Sequence, residues 1–160
     1  MADGFLDTPI GPVKVTVNAR GAVAEVSFVD GANTGVGETD DACFAAVRQL
    51  EEYFGNERQI FELDLEPEGT DFERRVWDDL VQIPFGATDT YGAIARRFDD
   101  PGASRAVGVA NARNPIAIVI PCHRVIGAGG NLTGYAGGLH RKKWLLAHES
   151  GQQLLDFASE

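Results

Sequence analysis

A chain of 160 residues has the length of one domain or two small ones, and 44% apolar with 24% charged residues is the composition of a folded globular protein, which excludes disordered, collagen-like and low-complexity chains. No stretch of 18 apolar residues exists and the start is acidic and interrupted, excluding a transmembrane helix and a signal peptide, while two cysteines make neither a disulfide framework nor a Cys-rich zinc site and point to the reducing cytoplasm. A net charge of −10 argues against a nucleic-acid partner for the chain taken whole.

That charge is unevenly placed: residues 1–69 hold 14 acids and 4 bases, and residues 70–160 hold 10 of each. Eleven arginines against three lysines on an acidic chain suggest a protein adapted to high salt. In the acidic part, Val13, Val15 and Val17 alternate with polar residues and predict a strand. Asn18-Ala19-Arg20-Gly21 supplies a turn, and residues 23–29 predict a second strand completing a hairpin. Residues 31–37 read as a loop. Thr39 is placed as the N-cap of an amphipathic helix over residues 40–54, with Phe44, Val47, Leu50 and Phe54 inward and Gly55 at its end. Phe61, Leu63 and Leu65 predict a third strand. Cys43 falls near the apolar face of the helix and reads as a packed thiol.

Glu66-Pro67-Glu68-Gly69 reads as a linker. Beyond it, Thr70 or Asp71 caps a helix whose Phe72, Val76, Leu80 and Ile83 face inward, and Thr90 caps a short helix from Tyr91 to Phe98. After the turn Asp100-Pro101-Gly102, Ser104 caps a further helix from Arg105 to about Arg113, which Asn114-Pro115 stops. Two short helices joined by a Pro-Gly turn suggest a helix-turn-helix. The second is made of small side chains, so its backbone can approach a partner closely or pack tightly on a neighbouring helix. Residues 101–148 contain no Asp or Glu but carry Arg105, Arg113, Arg124, Arg141, Lys142 and Lys143. Buried unpaired bases are rare, so the stretch reads as a surface kept free of carboxylates to meet a polyanion.

Residues 116–120 form a short, fully apolar run, expected to be a buried strand or extended segment, that ends at Pro121-Cys122-His123-Arg124-Val125. Cys122 thus sits where the chain leaves the core. A thiol is a useful nucleophile only as thiolate and needs a nearby base or positive field. His123 is adjacent, and a third group should orient its imidazole. Glu149 is a candidate as the only carboxylate between Asp100 and Asp156, with His140 and His148 as alternatives.

Asn114-Pro115, then the block from Ile118 through Pro121-Cys122-His123-Arg124-Val125 to Gly127, then Gly134-Tyr135-Ala136-Gly137-Gly138-Leu139, then Lys143-Trp144-Leu145-Leu146-Ala147-His148-Glu149 resemble, in order, the O6-alkylguanine-DNA alkyltransferases over residues 70–150. The resemblance implies an α+β protein. A ribonuclease-H-like N-terminal sheet-and-helix domain (1–66) precedes a mainly helical helix-turn-helix domain for catalysis and DNA binding (70–150), and 151–160 is left as a tail. It implies Cys122 as the acceptor that takes the alkyl group irreversibly, with His123, Glu149 and a water as the relay that makes it a thiolate. It further implies that Asn114 braces the active-site turn, that Tyr91 helps to rotate the nucleotide and protonate the leaving purine, and that Arg105 fills the space of the flipped base. Ala106, Gly108, Arg113 and Tyr91 join it at the DNA, the small-residue helix entering the minor groove, which is only about 6 Å wide. Val125, Tyr135 and Ala136 match pocket positions.

The implied partner is double-stranded DNA carrying O6-alkylguanine, with O4-alkylthymine a further candidate. The protein is expected to act as a monomer, to need no cofactor or metal and to meet no membrane. The cysteines of the zinc site found in some members are absent. Thr133 stands where many members have glycine, and Asn111 and Ala112 stand where the recognition helix often carries larger or basic groups. A thiol hydrolase built on Cys122, His123 and Glu149, or a non-catalytic helix-turn-helix binder of alkylated DNA, are the alternative readings.

Overall fold

A computed structural model describes residues 1–29 and 39–151; the loop expected over residues 31–37 and the tail beyond Gly151 lie outside the described residues. The chain divides into two units. One is Met1–Glu68 with Pro115–Val119, and the other is Gly69–Asn114 with the described residues from Ile120 onward. Residues 115–119 therefore belong with the first unit although they follow the linker in sequence.

In the first unit, β1 (Ala2–Leu6), β2 (Val13–Val17) and β3 (Val23–Phe28) form an antiparallel sheet in the order β1-β2-β3. The period-two pattern of β2 buries Val13, Val15 and Val17 completely or nearly so. Thr16, buried between them, is satisfied by donating from Oγ1 to Asp3 Oδ1 at 3.0 Å. The sequence gives no sign of β1, because Asp3 and Gly4 are poor strand formers. Gly4 is there because a Cβ at that position would lie 2.7 Å from the Cys43 Cβ.

The helix α1 (Phe44–Phe54) follows a 3-10 turn at Asp41–Cys43. Its start corrects the sequence reading: Asp40, not Thr39, caps the turn by accepting from the Ala42 amide at 2.9 Å. Thr39 instead bonds both the N–H and the C=O of Phe5, at 3.1 and 3.2 Å. Ala46, Val47, Leu50 and Tyr53 are buried, but Phe44 is 55% exposed. Cys43 is fully buried, with Sγ 3.4 Å from the Ala2 carbonyl, as a packed thiol should be.

Residues 61–65 do not form a strand. Only Leu65 bridges to Val23. The Gln49 side chain, 13 residues back, takes both backbone groups of Glu62, at 3.2 and 2.9 Å, leaving no ladder to continue there.

The apolar run 116–120 is a turn rather than a strand. Ile116 makes a single bridge to Val26, and then Ile118 adopts φ +72°. The Val119 amide bonds the Ala117 carbonyl at 2.8 Å around it, a three-residue turn that is strained for a β-branched residue. Ile118 is 1% exposed, so burial of its side chain holds the strained backbone in place.

In the second unit, α2 (Asp71–Val81) starts with a full capping box between Thr70 and Glu73. Val76, Trp77 and Leu80 are buried, while Phe72 is 36% exposed and lies edge-on to Phe98 instead of facing inward. Trp77 donates from Nε1 to the Ala110 carbonyl at 2.9 Å. A Cβ on Gly69 would come within 2.4 Å of that indole, so only glycine fits.

The strand β4 (Asp89–Thr90) leads into α3 (Tyr91–Arg97), capped by Thr90. A 3-10 turn at Pro101–Ala103 then leads to α4 (Ser104–Ala112). Ser104 lies inside α4, its hydroxyl donating to the Pro101 carbonyl at 3.4 Å, and Ala103 is the cap position. β4 pairs parallel with β5 (Val125–Ile126), and α5 (Leu139–Ser150) closes the unit at Gly151, whose φ of +77° ends the helix. No helix among the described residues is long and apolar enough to cross a membrane.

Candidate active site

Pro121 carries the geometry that presents Cys122. At φ −80° and ψ 63° it centres an inverse γ-turn, closed by the Cys122 amide on the Ile120 carbonyl at 2.7 Å. The turn delivers Cys122 as the first residue of a one-turn 3-10 helix, Cys122–Arg124, so Cys122 and His123 are not in extended chain. Two asparagines brace this segment. Asn114 donates from Nδ2 to the Ile120 carbonyl at 2.8 Å, and Asn111 from Nδ2 to the Cys122 carbonyl at 3.3 Å. Asn111 is thus a buried anchor of α4, whereas Ala112 is exposed.

Cys122 is 6% exposed. Burial pushes its thiol pKa up; the Asn114 side chain, the Lys142 charge and the amides of Cys122 and His123 pull the other way without cancelling it. The resting group is a thiol that needs a base.

His123, fully buried, is that neighbour, and its Nε2 lies 2.7 Å from Glu149 Oε2. Of the three candidates for orienting the ring, the structure selects Glu149. His148 stacks on Trp144 at 4.8 Å, and the His140 ring lies by Gly138. Burial lowers the His123 pKa more than the carboxylate raises it, so the ring is neutral. Burial alone would raise the Glu149 pKa, but His123 and the Arg124 guanidinium hold it far below the usual carboxylate range. An ionised carboxylate only accepts, so Nε2 carries the imidazole proton and Nδ1 keeps the lone pair. Nδ1 is buried without a protein hydrogen-bond partner.

Two contributors are not singled out by the sequence. Arg124 donates from Nε to Glu149 Oε1 at 2.7 Å, from one terminal nitrogen to Oε2 at 3.0 Å and from the other to the Ile83 carbonyl at 2.6 Å. Lys142, fully buried, donates from Nζ to the Val125 and Thr133 carbonyls at 2.6 and 2.7 Å. These two and Arg141 correct the reading of the acid-free stretch as wholly surface. Arg124, Arg141 and Lys142 are buried, while Arg105, Arg113 and Lys143 are exposed. The buried bases are satisfied by one carboxylate and by backbone carbonyls, a pairing invisible in a sequence with one distant acid.

The three positions expected at a pocket separate. Val125 is fully buried, Tyr135 half-buried and Ala136 exposed. The Tyr135 pKa is driven well above the ordinary phenol value by burial and by the negative form of Cys122.

On α4, Val107, Ala110 and Asn111 face inward, and Arg105, Ala106, Val109, Ala112 and Arg113 form the exposed face. Gly108, half-buried, has the Tyr91 ring against it, with ring carbons 3.8 and 3.9 Å from where a Cβ would sit. Arg113 pairs loosely with Glu73 at 3.5 Å.

The buried pair gives the fold a definite pH response. The unfolded chain protonates an ordinary histidine below about pH 6.5 and an ordinary glutamate below about pH 4.3, while the folded chain resists both. Thermal stability is expected to fall as pH drops below about 6.5, and further below about 4.3. A His123→Gln variant should flatten the first of these losses in melting curves taken from pH 8 to 5; an unchanged profile would contradict a neutral buried imidazole.

Residues 1–67 match the family model described as the ribonuclease-like domain of 6-O-methylguanine DNA methyltransferase, and residues 71–151 match its DNA binding domain. A methylated-DNA–protein-cysteine methyltransferase of Methanosarcina acetivorans is 48% identical over 91% of this chain and 96% of its own length. A protein of the same name from Mycolicibacterium paratuberculosis is 50% identical over 90% and 89%. The structure of Mycobacterium tuberculosis OGT in complex with DNA superimposes with a TM-score of 0.85 at 42% identity, covering 95% of this chain and 94% of that one. This chain belongs to the O6-alkylguanine-DNA alkyltransferase family.

Proposed function

We propose that this protein repairs double-stranded DNA by moving the alkyl group of O6-alkylguanine onto Cys122 in one irreversible step. The observation that carries the assignment is a buried thiol at the head of a 3-10 turn, next to a neutral histidine whose outer nitrogen is held by an ionised, arginine-paired glutamate. His123 Nδ1 accepts the thiol proton through a bridging water. The thiolate, met by the Asn114 side chain and the Lys142 charge, attacks the alkyl carbon in line. The S–C bond forms as the C–O6 bond breaks, and the electron pair leaves with the purine, which is protonated by Tyr91.

The O6 atom lies inside the stack, so the nucleotide must rotate out, at a cost of a few kcal/mol that a weakened alkylguanine pair reduces. The exposed face of α4 is bounded by Arg105 and Arg113 with Ala106 and Ala112 between them. That suits entry into a minor groove, with Arg105 filling the vacated stack. Tyr135 and Val125 line the base pocket, with Ala136 at its rim. The protein acts as a monomer in the cytoplasm, where a free thiol stays reduced.

A thioether has no hydrolytic exit here, so one molecule should repair one lesion. With a tenfold excess of O6-methylguanine duplex, product is expected to stop at one equivalent of protein. Continued turnover would favour the thiol hydrolase reading instead.

A further inference from the structure

We infer that Thr133 is a positioning residue that aims the Tyr91 hydroxyl proton at the leaving base. This rests on the transfer reading above, in which Tyr91 protonates the purine. Tyr91 is the first residue of α3, with its ring seated on Gly108, and only its hydroxyl remains to be oriented. Thr133 Oγ1 donates to the Tyr91 oxygen at 3.0 Å. Of the two directions open to a pair of hydroxyls, this one leaves the Tyr91 hydrogen pointing away from Thr133.

Thr133 is itself held. Its carbonyl accepts from Lys142 Nζ at 2.7 Å, and the same ammonium holds the Val125 carbonyl at 2.6 Å. Val125 begins β5, which pairs with Asp89–Thr90 immediately before Tyr91. The loop carrying Thr133 is also closed on itself by the Gly127 amide on the Asn131 carbonyl at 2.8 Å. The Thr133 backbone is therefore anchored by a buried cation to β5, which pairs with the strand that precedes Tyr91, and its exposed side chain reaches the Tyr91 oxygen from that anchored backbone.

The chemical consequence follows from charge. As the C–O6 bond breaks, the electron pair moves onto the purine, and the Tyr91 proton passes to a purine nitrogen. Negative charge then develops on the phenol oxygen until solvent returns a proton. A preset donor at that oxygen stabilises the charge as it forms and needs no reorganisation. Thr133 thus acts on the transfer step and not on the docking of the duplex.

The test uses the full chain, an O6-methylguanine duplex and single-turnover transfer at saturating DNA. Thr133→Val keeps the shape and removes the donor; it should slow transfer about tenfold with duplex Kd and melting temperature unchanged. Thr133→Ser should restore the rate. In a Tyr91→Phe background, Thr133→Val should cost nothing more, because the oxygen it serves is gone. The inference is overturned if Thr133→Val transfers at the wild-type rate, if its loss appears only in Kd, or if the loss is the same in the Tyr91→Phe background. It also falls if Tyr91→Phe itself transfers at full rate. Absence of methyl transfer by the wild type would mark failure of the underlying reading and remove this one with it.

Discussion

Cys122→Ala should lose alkyl transfer completely and still bind O6-methylguanine duplex. The substitution removes the sulfur alone. The turn that carries it depends on Pro121, on the Cys122 amide and on the Cys122 carbonyl held by Asn111, all of which remain. The lost side-chain burial costs on the order of 1 kcal/mol, within what a folded domain tolerates. No other thiol can stand in, because Cys43, the second free cysteine, is fully buried with its sulfur against backbone carbonyls of the first unit. Pre-steady-state transfer assays with a labelled methyl group should show no label on the variant, and mobility-shift titrations should show the lesion duplex retained. Residual labelling would place the acceptor elsewhere.

The second large effect is expected at Glu149. Its two oxygens serve one imidazole N–H and two guanidinium N–H groups, and none of these partners can accept. Glu149→Gln keeps the shape but turns one oxygen into a donor. Facing Arg124 Nε, the new amide opposes an N–H; facing His123, it opposes Nε2–H and forces the tautomer that blocks Nδ1 as a base. Either way the buried Arg124 charge loses its counter-charge. The variant should transfer about 10²–10³-fold more slowly and lose about 3–5 kcal/mol of stability. Rates compared below the lower melting temperature separate the two losses. A variant that is less stable yet transfers at the wild-type rate would reduce Glu149 to an anchor for Arg124.

Both of these residues stand out as candidates in the amino-acid sequence alone, Glu149 beside His140 and His148. Cys122 stands at the end of an apolar run beside a histidine, and Glu149 is the sole carboxylate in a long stretch. The cap at Thr90 and the inward face of β2 are equally readable, because a cap bond and a burial period are local properties; the caps placed at Thr39 and Ser104 and the inward place of Phe72 on α2 are not. What is not readable depends on contacts remote in sequence. Residues 61–65 alternate like a strand, but the Gln49 side chain takes the backbone bonds of Glu62. Residues 116–120 are apolar enough for a strand or a buried turn, and only the Ile118 backbone decides between them. Arg124 and Lys142 look like surface bases because their partners are a carboxylate 25 residues away and two backbone carbonyls, which leave no mark in composition. Thr133 joins Tyr91 across 42 residues, and no spacing rule connects them.

The claim that one sulfur is permanently consumed by the damage it removes is tested most directly by mass spectrometry. Protein incubated with an O6-methylguanine oligonucleotide duplex, then weighed intact and digested, should carry a single methyl group, on the peptide containing Cys122. Repaired DNA recovered beside unmodified protein, or a methyl group on any other residue, would contradict it.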